Sequence, residues 1–404
     1  MGVLVAVFGV VLVLSVCSFL LKWNEVRYGN LYKTHILGCP TVICMDPELN
    51  RLLMNEGKGL IPGYPQSMLD ILGKYNIAAV HGSLHKTMRG AMLALIGPTM
   101  VREQLMPKID EFMRSHLHNL NGEIIDIQDK TKEMALLVSL KLIGGIESGL
   151  LSETFKPEFY RLVEGTISLP IDLPGTNYHH GFQARKKITS MLSEIINERR
   201  NTSTACGDML DALLKTDEVA RAKLTDEQIV DLILTIIYSG YETVSTTSMM
   251  AIKYLHDNPK ALEELREEHF AIRKGKSPED PIDWNDYKSM NFTRAVIYET
   301  LRMATVINGL LRKTTQDMEM KGYVIPKGWK IYVYDKNLES HQCFLMFGGG
   351  SRLCPGKEIG TTEISVFLHY FVTRYRWEEV GNDKLVKFPR VEAPNGIRVR
   401  VSDY

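Results

Sequence analysis

Ten residues near the end of the chain, Phe347-Gly-Gly-Gly-Ser-Arg-Leu-Cys-Pro-Gly356, constrain its fold more than any other stretch. A single cysteine, Cys354, sits in a glycine-rich loop, and an apolar run of helical character follows from Glu358 towards Tyr370. Glycine at 348, 349, 350 and 356 lets the backbone approach a flat cofactor and take positive φ. Backbone N–H groups in such a loop, and at the helix start beyond it, can point at a thiolate and stabilise its charge. Arg352 places a cation near that anion or near a cofactor carboxylate, and Phe347 can cover one side. A cysteine in a turn is more often a small core residue. A triple glycine also suggests a phosphate loop, but no Gly-Lys-Ser/Thr follows and no strand-then-GxGxxG frame is present. The run fixes Phe347, Gly350, Arg352, Cys354 and Gly356 within ten residues, a pattern hard to reach by chance.

The bulk properties leave room for this. At 404 residues the length permits two or three domains or one large fold. Lys+Arg 48 against Asp+Glu 48 gives no net charge, which removes any bulk argument for nucleic acid as a partner. The cysteines at 17, 39, 44, 206, 343 and 354 form no C-x-x-C pair, which argues against structural zinc. So few in so long a chain also argue against a disulfide framework.

Val3 to Leu21 carries no charge and is long enough to span a bilayer as a helix. Lys22 and Arg27 follow it, and the positive-inside rule keeps the remainder cytosolic. A cleaved signal peptide would begin with basic residues and have a shorter apolar core. The expectation is an anchor at 1–22, uncleaved and single-pass in the endoplasmic reticulum membrane, with a catalytic domain at 23–404 in the cytosol. A reducing compartment suits a reactive Cys354.

Leu31–Leu37 and Thr41–Met45 read as the strands of a hairpin flanking Gly38-Cys-Pro40. Asp46-Pro47 caps a short helix expected to stop at Gly57. Residues 60–80 read as an apolar loop. His81 to Arg89 opens a helix on which His85 and Arg89 share one face. Two donors there suit cofactor carboxylates, although spacing alone favours an ordinary solvated face. The pattern is then helical from Val101 to Arg200, broken by the apolar loop Leu169–Tyr178 with its two prolines. Such a loop suits entry of a greasy substrate.

Leu224-Thr-Asp-Glu-Gln228 starts a long apolar helix running to about His256. Inside it Ser239-Gly-Tyr-Glu-Thr243 places a glycine, an acid and a hydroxyl mid-core. Gly240 costs about 1 kcal/mol against alanine. A threonine there can bond back to its own helix. A small-residue helix crossing explains this; so does a groove for O2 with Glu242 and Thr243 handling protons. A helix over Asn291–Thr305 carries Glu299 and Arg302, three apart and facing the same way. If exposed, that pair contributes roughly 0–1 kcal/mol. Met318–Ile325 and Lys330–Tyr334 read as strands, and the tail from Leu385 to Val401 as short strands.

Four signals stand in one order: the anchor, Ser239–Thr243, Glu299/Arg302 and Phe347–Gly356. Together they resemble the cytochrome P450 monooxygenases. Leu173-Pro-Gly-Thr-Asn-Tyr178, Phe367-Leu-His-Tyr-Phe-Val-Thr-Arg-Tyr-Arg-Trp377 and Phe388-Pro-Arg-Val-Glu-Ala-Pro394 resemble the plant steroid-oxidising members, the brassinosteroid 6-oxidases. The resemblance implies a mainly α fold with small β-sheets (α+β) behind an N-terminal transmembrane helix. It implies haem (iron protoporphyrin IX) ligated by Cys354, with Phe347, Gly350, Arg352 and Gly356 shaping the loop. By the same resemblance His85, Arg89 and Arg312 bind propionates, Glu242 and Thr243 are catalytic, and Glu299 and Arg302 form a buried structural pair. The implied partners are an NADPH-cytochrome P450 reductase, a 6-deoxo steroid, O2 and the membrane. Two departures stand out. Only Trp23 to Asn30 fill the space of the usual proline-rich hinge and first helix. Tyr334 to His341 run almost directly into the cysteine loop, where the family carries a long meander.

Overall fold

The computed structural model describes residues 29–36, 38–54, 59–144, 150–201, 208–214, 224–277, 279–307, 309–334, 346–381, 384–386 and 390–404. The expected anchor, Val3 to Leu21, lies outside them. Among the described residues no helix is long and apolar enough to cross a membrane.

The strands are β1 (Leu31–Ile36), β2 (Cys39–Cys44), β3 (Leu60–Pro62), β4 (Ile124–Asp126), β5 (Leu310–Thr314), β6 (Met318–Met320), β7 (Tyr323–Ile325), β8 (Lys330–Val333), β9 (Tyr375–Glu379) and β10 (Arg398–Asp403). The helices used below are α1 (Pro47–Leu53), α2 (Gln66–Leu72), α3 (Gly82–Ile96), α4 (Met106–His116), α5 (Ile127–Gly144), α6 (Leu150–Thr166), α7 (Asn177–Asn201), α8 (Met209–Leu214), α9 (Asp226–Asp257), α10 (Pro259–Arg273), α11 (Trp284–Ser289), α12 (Asn291–Ala304) and α13 (Lys357–Arg374). They fall into two compact units. One comprises residues 1–63, 301–354 and 384–395, the other residues 64–300, 355–383 and 396–404.

The first unit is built on a sheet ordered β1-β2-β8-β5-β3. The expected hairpin forms, pairing Leu31 with Cys44 and Ile36 with Cys39 across a left-handed Gly38. β8 then adds parallel to β2, Thr41 opposite Lys330. Alternation along β2 makes the sheet two-faced. Val42 and Cys44 join Leu49, Leu53, Leu60, Ile331 and Val333 on one side, while Ile43 packs with Tyr32, Met45 and Tyr332 on the other. The Asp46 side chain accepts from the amides of Glu48 and Leu49 and starts α1. That helix ends at Leu53, before the expected Gly57. Met318–Ile325 is a hairpin instead of one strand, because Lys321 and Gly322 both take positive φ, 47° and 79°, and turn the chain in two residues.

The second unit is helical. Its longest element, α9, begins in a reciprocal cap: Thr225 Oγ1 accepts from the Gln228 amide and Gln228 Oε1 from the Thr225 amide. α6 and α7 cross at two glycines. A Cβ on Gly165 would stand 2.9 Å from the Cα of Gly181 and 2.7 Å from Ile71 Cδ1 of α2. α2 itself lies within the stretch expected to be loop. Its seven residues fit between Pro65 and Gly73, too short for a periodic signal. The sheet β4-β10-β9 completes the unit. β4 and β9 fall inside and beside helical patterns and carry no separate signal of their own.

Candidate active site

In the first unit the cysteine loop closes on itself. The Cys354 amide donates to Phe347 O at 2.8 Å, that of Arg352 to Gly349 O at 3.3 Å and that of Leu353 to Gly350 O at 3.2 Å. Gly350 to Arg352 form one 3₁₀ turn, and Gly348 and Gly350 take φ of 71° and 60°. These left-handed positions require glycine. The three amides thus bond to loop carbonyls and hold the loop closed. Cys354, Phe347 and Arg352 are half-buried, and Gly350 is exposed. Arg312, in the same unit, is fully buried on β5. Its Nε donates to Leu53 O at 3.0 Å and Nη2 contacts Met54 O at 3.5 Å, which answers the unpaired carbonyls at the end of α1.

The second unit carries the remaining positions except Arg302, which belongs to the first. Thr243 Oγ1 donates to Ser239 O at 2.8 Å, the back-bond expected from sequence. Glu242 and Gly240 are half-buried beside it. α5 passes this turn, since a Cβ on Gly240 would meet Ser139 Oγ at 3.4 Å. α13 passes on its own side, a Cβ on Gly360 lying 3.6 Å from Val244 Cγ2. His85 is buried on α3, with Arg89 half-buried one turn on. Gly356 precedes the first residue of α13.

Glu299 is exposed and Arg302 half-buried, so the burial implied for this pair is not found at Glu299. The reason lies in the helix period. α12 buries Thr293, Ile297, Thr300 and Ala304, an i, i+4, i+7 stripe that leaves Glu299 on another side.

Among the ionisable residues that sequence reasoning missed is a buried acid. Glu363 of α13 is buried, and lost hydration pushes its carboxyl up to about 8. An acid interrupting an otherwise apolar run was the available signal.

The donor set fits an iron porphyrin. It offers one half-buried thiol, no side chain at 348, 349, 350 or 356 to obstruct a flat ring, and a cation two residues before the sulfur.

The family model for cytochrome P450 matches residues 5–339 and 334–397, two pieces that meet at the shortened stretch before the cysteine loop. The chain is 64% identical to Cytochrome P450 85A1 of Brachypodium distachyon, over 95% of its own length and 88% of that protein's. It is 58% identical to Cytochrome P450 85A of Phaseolus vulgaris across the whole of both; that alignment spans 465 positions against the 404 residues here. A 3beta,22alpha-dihydroxysteroid 3-dehydrogenase of Arabidopsis thaliana is 36% identical over 90% of this chain and 82% of its own. Among solved structures, retinoic acid bound cyanobacterial CYP120A1 superposes with a TM-score of 0.85 at 22% identity, covering 95% of this chain and 94% of that one, and shares the fold. By sequence and by fold, the chain belongs to the cytochrome P450 family of haem monooxygenases.

Proposed function

We propose that the protein oxidises carbon 6 of a 6-deoxo brassinosteroid, such as 6-deoxocastasterone, to the ketone. The observation that carries this reading is the identity of 58–64% with P450s of the 85A group, the brassinosteroid 6-oxidases. A dihydroxysteroid-oxidising relative at 36% identity supports the steroid class.

Cys354 would hold the iron as its thiolate, and Arg352, His85, Arg89 and Arg312 are the residues that would bind the propionates. The carbonyls that Arg312 serves fix its guanidinium in one orientation. Haem, when bound, supplies activation of O2 and insertion of one oxygen atom into an unactivated C–H bond. Thr243 holds a proton at Oγ1, parked on Ser239 O, and gives it up by swinging away from that carbonyl. Glu242, the residue before it, resupplies it. Two insertions at one carbon give a gem-diol, which loses water to the ketone. Glu299 and Arg302 have a structural role on α12. Electrons come from NADPH through a separate reductase, for which exposed Lys357 is a docking cation.

The chain sits at the endoplasmic reticulum membrane through residues 3–21. Ile167, Leu169, Ile171 and Leu173, all exposed in the α6–α7 connection, add an apolar edge for a sterol to approach.

The test is a reduced, CO-bound spectrum of the purified chain, followed by turnover of 6-deoxocastasterone with NADPH and reductase. A strongly red-shifted Soret band and a 6-ketone product are expected. No band removes the haem-thiolate reading. A band without 6-oxidation leaves a P450 of other specificity.

A further inference from the structure

Three helices of the second unit meet at buried imidazoles. His269 of α10 and His369 of α13 are both fully buried, as is Thr293 of α12. Their hydrogen bonds run in series. Glu268 Oε1 accepts from the Phe292 amide at 2.7 Å, and Oε2 accepts from the Thr293 amide at 2.9 Å and from Thr293 Oγ1 at 2.5 Å. Thr293 Oγ1 lies 3.1 Å from His269 Nε2, and His269 Nδ1 lies 3.0 Å from His369 Nδ1.

This network assigns the protons. A carboxylate only accepts, so the threonine hydrogen goes to Glu268. Thr293 Oγ1 must then accept from His269 Nε2–H. That leaves His269 Nδ1 with a lone pair, which takes the proton of His369 Nδ1–H. His369 Nε2 ends the series as a lone pair with no hydrogen-bond partner among the described residues. Both rings are neutral in this arrangement, and neither can reverse alone without setting two donors or two acceptors face to face.

The series joins the N-terminus of α12, which Glu268 caps, to the helix that begins three residues after Cys354. A second tie joins the same region at the other end of α13. There Tyr287 Oη donates to Glu358 Oε1 at 2.9 Å, and Lys357 Nζ stands 5.9 Å from the Tyr298 ring centre.

We propose that His369 is a positioning residue for the haem-binding segment: its Nδ1–H, ordered by Glu268 through Thr293 and His269, fixes α13 against α12, and acid opens this link and releases the cofactor. This rests on Cys354 being the haem ligand. The groups facing His369 favour release on protonation. Arg273 of α10, Lys276 just beyond it and Arg374 of α13 all oppose a further positive charge, as does a charged His269. Asp110 of α4 is occupied by Tyr370 and Arg114. Glu268, reached only through Thr293, is the nearest acid in the series. Burial also holds both imidazoles well below their ordinary range. The neutral pair is therefore stable above about pH 6.5 and loses ground as pH falls below it.

The test uses the full chain in detergent, with CO-difference absorbance and far-UV circular dichroism followed from pH 8 to pH 4. In His369→Asn the carboxamide Nδ2–H stands where Nδ1–H stood and does not titrate. It is expected to keep wild-type haem content at pH 7.5, to move the acid midpoint down, and to cut the protons taken up in the transition from about two to about one. His369→Phe fills the volume without a donor. It is expected to lose most haem at pH 7.5, with His269→Phe added on top costing little more. The proposal falls if His369→Asn keeps the wild-type midpoint and proton number, if it loses haem at pH 7.5, or if His369→Phe retains haem. Wild-type protein that shows the helical acid transition but binds no haem refutes the Cys354 reading instead.

Discussion

Gly73 lies against the carboxylate of Asp231 so closely that a Cβ at position 73 would fall 2.1 Å from Oδ1. Its φ of 95° is closed to other residues at low cost. Asp231 is fully buried on α9 and is held by Arg185 Nη2 of α7 at 2.6 Å and by the Tyr75 amide at 2.9 Å. Arg185 also reaches Ile71 O at the end of α2. One ion pair therefore gathers α2, α7 and α9. Asp231→Asn leaves the half-buried Arg185 guanidinium without its counter-charge and is expected to destabilise by about 3 kcal/mol, the lower end for a broken buried pair. Gly73→Ala combines strain with a clash and should be comparably harmful. Denaturant midpoints of the two variants check this.

Glu363 gives a pH dependence of definite sign. Its carboxyl rises from an ordinary 4.5 to about 8, so its contribution to stability is whole below pH 4.5 and drains away as pH climbs through 8. Glu363→Gln removes that drain. At pH 7 the difference is on the order of 3 kcal/mol in favour of the glutamine form, shrinking towards pH 5. Thermal unfolding of both forms between pH 5 and pH 8 measures it; parallel curves would refute the assignment.

Replacing Cys354 by serine swaps the thiolate for a hydroxyl that stays protonated at neutral pH. The red-shifted band of the reduced CO complex is expected to vanish along with steroid oxidation, while the far-UV spectrum persists. Bound pigment of wild-type type in this variant would contradict the ligand assignment.

Thr243→Ala removes the proton held on the turn of α9. NADPH consumption is expected to continue while product falls by about 10²-fold, the lower end of what a positioned proton donor contributes. Thr243→Ser should recover most of the yield. Equal coupling of NADPH to product in Thr243→Ala would exclude the role.

Much of this was legible in the residues because it is local. A reciprocal cap at Thr225 and Gln228, a strand pair around Gly38 and the spacing through Cys354 each declare themselves within a few positions. The Thr243 back-bond follows from a hydroxyl placed mid-helix. What stayed hidden depends on partners far along the chain. Nothing near Asp231 announces Arg185, and nothing near His369 announces His269, a hundred residues earlier. Short elements were hidden for another reason. α2 and the turn at Lys321 are bounded by backbone geometry over a handful of residues, where periodicity has no room to show. The exposure of Glu299 is set by the stripe through Thr293 and Ile297, which orients that helix and is a matter of packing that family likeness does not report.

The parallel pairing of Thr41 with Lys330 has a cost in time. At about 5–20 residues per second of synthesis, β2 waits on the order of fifteen to sixty seconds before β8 leaves the ribosome. Through that interval the outer rim of the nascent hairpin is unguarded, with Val42 and Ile43 beside it. Production of this enzyme should therefore depend on chaperone supply, and slower growth temperatures should raise the soluble yield more than stronger promoters do.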